Sequence, residues 1–313
     1  MSKPSGGTWA PSVLRRERRG PRNAEQMFPG SSGKSLFGKM SWLTRFCTVW
    51  LILVILAAAL ADLIPGLPDP NYQGFVFGDG KTNEGPTASH WLGTDNVSRD
   101  ILARLIYGAR VSLIFAFSLV AVGVIVGGTL GSIAGYFRGF LETFLMALVD
   151  TWLSFPPLIG LVFITTMLGM RNLLVLCLVG FIFVWPSYTR IARAVALSVS
   201  GQDFVTAARA IGTSRRRILF REIFPNVFPA LLAYSLVGMA ILIILESTLS
   251  FLGLGVEIPT ASWGGMISQA CQDLLINVWP AVFPAVTLFM TVYSFNNLAD
   301  WLQQRAAARS AAI

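Results

Sequence analysis

Side chains able to do chemistry are scarce in this sequence. Among 313 residues there is one histidine, His90, and there are three cysteines, Cys47, Cys177 and Cys271. So few ligands at such separations exclude a Cys/His metal site. Cys47 and Cys177 fall inside apolar stretches, where cysteine acts as a small hydrophobe, and Cys271 has no neighbouring thiol for an internal disulfide. Charge is also sparse: Asp, Glu, Lys and Arg make up 13% of the chain, about half the usual share in soluble proteins. No nucleophile–base–acid grouping is visible, so no catalytic residue is assigned and the chain is not read as an enzyme. A phosphate-binding loop is missing as well. Gly33-Lys34-Ser35 has the right ending, but the first glycine would fall at Phe28 and no strand precedes it. No cofactor is therefore expected on this chain.

Hydrophobic residues are abundant, at 54%. They gather in uncharged runs at 46–61, 111–137, 151–170, 172–189, 223–245 and 274–299. A bilayer core takes roughly 20 helical residues, and 40–42 and 63–64 extend the slightly short first run. Lipid offers the backbone no hydrogen bonds, so spans of this kind must be helices. The expected fold class is all-α: a polytopic membrane bundle of six transmembrane helices.

The basic residues are unevenly placed. Lys3, Arg15, Arg16, Arg18, Arg19, Arg22, Lys34, Lys39 and Arg45 precede the first run, and Arg190, Arg193, Arg209, Arg215, Arg216, Arg217 and Arg221 lie between the fourth and fifth. Residues 246–273 contain none, and acids outnumber bases over 62–106. Positive loops remain in the cytoplasm, which places both termini and the 190–221 loop inside. The net charge of +8 thus reflects topology, and no nucleic-acid partner is expected. The Arg-rich start and Ala59-Leu60-Ala61 also suit a cleavable signal peptide. Against that, about 45 residues precede the apolar run, far more than an ordinary n-region, so an uncleaved first helix is expected.

From these features residues 1–40 read as a disordered cytoplasmic tail, 41–64 as the first helix and 65–104 as an extracytoplasmic segment. Pro65, Gly66, Pro68 and Pro70 break any helix at the start of that segment, and 99–107 reads as a short surface helix leading into the second span. Residues 105–303 form a five-helix core with an outer loop at 253–280, and 304–313 a second cytoplasmic tail. Gly123, Gly127, Gly131 and Gly135 recur every four residues, a small-residue stripe that lets another helix approach closely. Pro156-Pro157 should kink the third span. Asp150, at the inner start of that span, and Glu246, at the outer end of the fifth, are candidates for the substrate path; local pairing is the alternative for both.

The cytoplasmic segment 203–225 is the most informative. Residues 204–211 suit a short amphipathic helix, in which Ala207 and Ala208 let another surface come near. Gly212 suits the left-handed residue that ends it. A second helix should run from Ser214 until Pro225. Two short helices with a tight turn suit a groove on another protein. Arg215, Arg216 and Arg217 hold the loop inside and are candidates for partner contact.

This segment resembles the EAA signature of ABC-importer permeases: Glu-Ala-Ala, three residues, Gly, nine residues, then Ile-x-Leu-Pro. Ala207, Ala208, Gly212 and Pro225 match; Thr206 replaces the Glu, Glu222 the Ile and Phe224 the Leu. The flanks are similar to dipeptide, oligopeptide and nickel permeases. They include His90-Trp91-Leu92-Gly93-Thr94-Asp95, Ser98-Arg99-Asp100 (Ser98 standing where that family usually has Gly), 249–255, Trp263-Gly264 and Phe295-Asn296. The resemblance covers about 41–303 and has the character of the second, shorter-looped permease of a heterodimeric pair. It implies a type I ABC importer of the bacterial cytoplasmic membrane. A second permease would complete the path, two cytoplasmic ATPases would bind ATP and Mg, and an extracytoplasmic binding protein would deliver a di- or oligopeptide; a nickel chelate or other small solute is the alternative cargo. Thr206, Ala207, Ala208, Gly212, Arg215 and Pro225 would couple to the ATPase. A stand-alone secondary transporter would want acids within the helices, and their centres have almost none.

Overall fold

The computed structural model describes residues 40–310 apart from Asp79 and Met170. The tail before residue 40, with Gly33-Lys34-Ser35, lies outside the described residues. Helices α1 (Trp42–Ala59), α2 (Ile101–Phe137), α5 (Leu173–Ser200), α7 (Arg215–Phe251) and α9 (Trp279–Ser310) are long and apolar enough to cross a membrane. Shorter helices are α3 (Phe140–Leu153), α4 (Pro157–Leu168), α6 (Asp203–Ala210) and α8 (Trp263–Ala270). Residues from Ser41 onward form one compact unit.

The expected third span is two helices, α3 and α4, bent by 75°. Counted as one broken span, they make the sixth crossing. The break follows from Pro156-Pro157: the residue before a proline is pushed out of the helical region, and Pro156 is extended at φ −63°, ψ 118°. Pro157 then opens α4, where its missing N–H costs nothing.

Other boundaries also shift. Asp150 is near the end of α3 rather than at the start of a span. The expected surface helix at 99–107 is the first turns of α2, whose amino end Asp100 caps by accepting from the Ala103 N–H at 2.7 Å. Pro225 does not end the helix that begins at Arg215. A π-helical stretch at Leu219–Ile223 precedes it, and the chain continues as one helix to Phe251. The wider π turn is rare and occurs mostly as a single turn inside an α-helix. Leu274, Leu275 and Ile276, assigned to the last span, are exposed loop residues; α9 starts at Trp279 and runs through the expected tail to Ser310.

The glycine stripe of α2 lies against α5. A Cβ on Gly127 would stand 2.6 Å from the Trp185 carbonyl oxygen, one on Gly135 2.7 Å from that of Arg193, and one on Gly131 2.6 Å from the Ala192 Cβ. A Cβ on Gly123 would stand 2.6 Å from the Tyr188 ring. Only hydrogen side chains permit this approach, and close van der Waals packing is the main attraction between helices in lipid. Within α5, Pro186 cannot donate to the carbonyl of Ile182. The Trp152 indole N–H of α3 donates to that oxygen at 2.5 Å, filling the gap that proline leaves.

Candidate functional site: the two ends of the bundle

At one end, α6 and the start of α7 form a helical hairpin. Val205 and Ile218 are buried and anchor it, while Thr206, Ala207 and Ile211 face outward. The turn is a Schellman motif: the Gly212 N–H donates to Arg209 O at 3.0 Å and the Thr213 N–H to Ala208 O at 3.1 Å. Gly212 adopts φ +78° with open space where a Cβ would sit. A side chain there meets backbone strain rather than a clash. Arg209 lies over the Tyr136 ring at 5.4 Å, tying the hairpin to the end of α2. Arg215, Arg216 and Arg217 are exposed and form no ion pair among the described residues. The Thr206 hydroxyl turns back to Gln202 O at 3.4 Å. Pro225 is exposed inside the continuous α7.

At the opposite end, the polar groups are enclosed. Asp95 accepts from Arg99 Nε at 2.6 Å and lies 3.7 Å from Arg104 Nε. Arg99 also donates to Gln269 Oε1 on α8 at 2.6 Å. Arg104, almost wholly buried, donates to the carbonyls of Pro70 and Pro259 at 3.1 and 3.3 Å. Asp100 also meets His90 Nδ1 at 2.9 Å. Ser98, at φ +63°, occupies the left-handed region that a glycine would adopt freely. Helix α8 sits between α2 and α7: the buried Trp263 donates to Leu105 O at 3.0 Å, and Gly264 lies against the backbone of Ser247. Sequence reading treated this helix only as loop. Its signals were Ser262, which caps the amino end, and the Trp263-Gly264 pair.

The two acids suggested for the substrate path lie apart. Glu246 is wholly enclosed; Ser112 donates to it at 2.6 Å and Ser250 at 2.7 Å. It joins α2 to α7 and faces no open path in this structure. Asp150 is exposed and paired with Arg190 of α5, and Glu142 pairs with Arg193 in the same way.

The sequence pattern of the family described as "Binding-protein-dependent transport system inner membrane component" matches residues 127–308. The chain belongs to that family. It is 33% identical over 255 residues to the glutathione transport system permease protein GsiD of Pectobacterium atrosepticum, covering 82% of this chain and 83% of that one. Its identity to the Escherichia coli O157:H7 protein of the same description is 35%, covering 82% of each chain. Two crystal forms of the MetNI methionine ABC transporter in inward-facing conformations share the fold, with TM-scores of 0.54 and 0.55 at 19% and 18% identity. Each comparison covers 66% of this chain and 97% of that one. The present chain is therefore a multi-pass inner-membrane permease of an ABC importer, with the type I fold. It is a transport component, and the ATPase is a separate subunit.

Proposed function

We propose that this chain is one of two different permeases in an ATP-driven importer of short peptides delivered by an extracytoplasmic binding protein. Two cytoplasmic ATPases, which hold the ATP and Mg, would dock on the hairpin formed by α6 and the start of α7. The observation that carries the coupling role is the hairpin itself, with anchors turned inward and Thr206, Ala207, Ile211 and the Arg215 cluster turned out. A face of small residues beside unpaired cations suits a groove on a partner. The description of relatives as glutathione permeases supports a peptide cargo, since glutathione is a γ-linked tripeptide.

Closure of the ATPase pair would push the hairpin, and α7, continuous from Arg215 to Phe251, would carry that motion to the other end of the bundle. Such a device needs contacts that differ between its two states. Both termini and the hairpin are assigned to the cytoplasm. Reporter fusions after residues 30 and 215 should read inside, and those after 80 and 265 outside; an inside signal at 265 would overturn this orientation. Cysteines at Ala208 and Thr213 should cross-link to the ATPase, and the reconstituted assembly should take up labelled glutathione or tri-alanine only with ATP and the binding protein. Cross-links solely to lipid-facing or outer partners would refute the coupling role. Uptake of other solutes but of no peptide would refute the cargo.

A further inference from the structure

Beside α8, a cavity of about 300 Å³ opens between the α7–α8 loop, α8 itself and the α4–α5 loop. Its volume is at the small end of ligand pockets. The two loops are tied together where the Glu257 N–H donates to Arg171 O at 2.8 Å, so one acid and one base rise from adjacent backbone positions at the rim. Both side chains are exposed, and neither joins the other or any further residue in an ion pair among the described residues. Deeper in, the wall is already ordered. Ser250 is bound to Glu246, Ser262 accepts from the Gly265 N–H, and the carbonyl of Gln269 accepts from Arg99. That last bond turns the Gln269 amide N–H₂ into the available donor beside the cavity.

We propose that this cavity binds a small molecule carrying both a carboxylate and an ammonium group, as the free ends of a short peptide do. Arg171 takes the carboxylate through charge-assisted hydrogen bonds and Glu257 takes the ammonium. The ordered wall reduces the entropy lost on binding. On the proposed orientation, the cavity lies at the outer mouth, a receiving site between the binding protein and the path. This inference rests on the peptide reading above.

The test is made on the complete transporter in nanodiscs without binding protein, by competition binding of tri-alanine, its C-terminal amide and its N-acetyl form. Arg171→Gln and Glu257→Gln should each weaken tri-alanine by about tenfold, the scale of one lost charged contact. The amide should be insensitive to Arg171→Gln, and the acetyl form to Glu257→Gln. Equal tri-alanine affinity in wild type and both variants would overturn the proposal. So would unchanged peptide binding with weakened docking of the binding protein, which would make the rim a protein contact. Failure of the peptide reading would appear separately, as no uptake of tri-alanine or glutathione by the wild-type assembly with its binding protein.

Discussion

The two ends of the bundle differ in where their polar groups find partners. At the α8 end, Asp95, Arg99, Arg104, Asp100 and Glu246 bond within the chain, and most are nearly or fully buried. At the hairpin end, Arg215, Arg216 and Arg217 stay exposed, and two apolar anchors, Val205 and Ile218, seat the hairpin. Enclosed polar groups are expensive to disturb, because removing one partner strands the other away from water. Exposed ones contribute little to folding and stay available to a partner. The α8 end should therefore answer mutation with loss of stability, and the hairpin end with loss of function in a protein that still folds.

The comparison is tested hardest by Asp95→Ala. It would leave Arg99 and Arg104 buried without a countercharge, and breaking a buried pair costs about 3–5 kcal/mol. Thermal unfolding of the detergent-purified protein should show that loss; a change below about 1 kcal/mol would mean that water already screens the cluster. Next in size is Gly212→Asp at the other end. It should cost only about 1 kcal/mol in backbone strain, keep membrane insertion, and abolish uptake and ATPase co-purification. Gly212→Ala should be milder, and normal transport by Gly212→Asp would remove the hairpin from the coupling role.

Ser98→Gly runs the opposite way. Freeing the left-handed residue and removing a buried hydroxyl with no partner among the described residues should raise stability by about 1 kcal/mol. A lower melting temperature would show that Ser98 makes a favourable contact. The smallest effect is expected at Asp62. Hydrogen bonds from Tyr107 and then Arg110 hold its carboxyl below the ordinary value. Its contribution is therefore present at neutral pH and fades as the pH falls through the depressed value. Asp62→Asn should slightly flatten the acid limb of a stability–pH curve, and an identical acid limb in the variant would show that the tie between the α1 end and α2 is idle.

Much of the hairpin was legible in the sequence because its determinants are local. Gly212 ends a helix whatever surrounds it, and the glycine stripe of α2 follows from spacing alone. Local patterns failed where a distant partner decides the outcome. Arg190 and Arg193 looked like the start of a loop, yet they pair with Asp150 and Glu142, and α5 runs on to Ser200. Pro225 looked like a stop, but the π stretch before it lets the helix pass. Helix α8 was missed because it is only eight residues long and lies among loop residues, while its docking depends on Leu105 and Ser247, far away in the chain.

By itself the sequence determined that this protein lives in a membrane, roughly where its helices lie, and which turn forms between α6 and α7. Each of those depends on side chains within one helix length, where backbone hydrogen bonding in lipid leaves no other solution. Only the tertiary structure decided that Glu246 is enclosed between α2 and α7, that α3 and α4 meet at 75°, and that Arg171 and Glu257 share one rim. Those outcomes depend on groups brought together from remote parts of the chain, and no spacing rule along the chain encodes such a meeting.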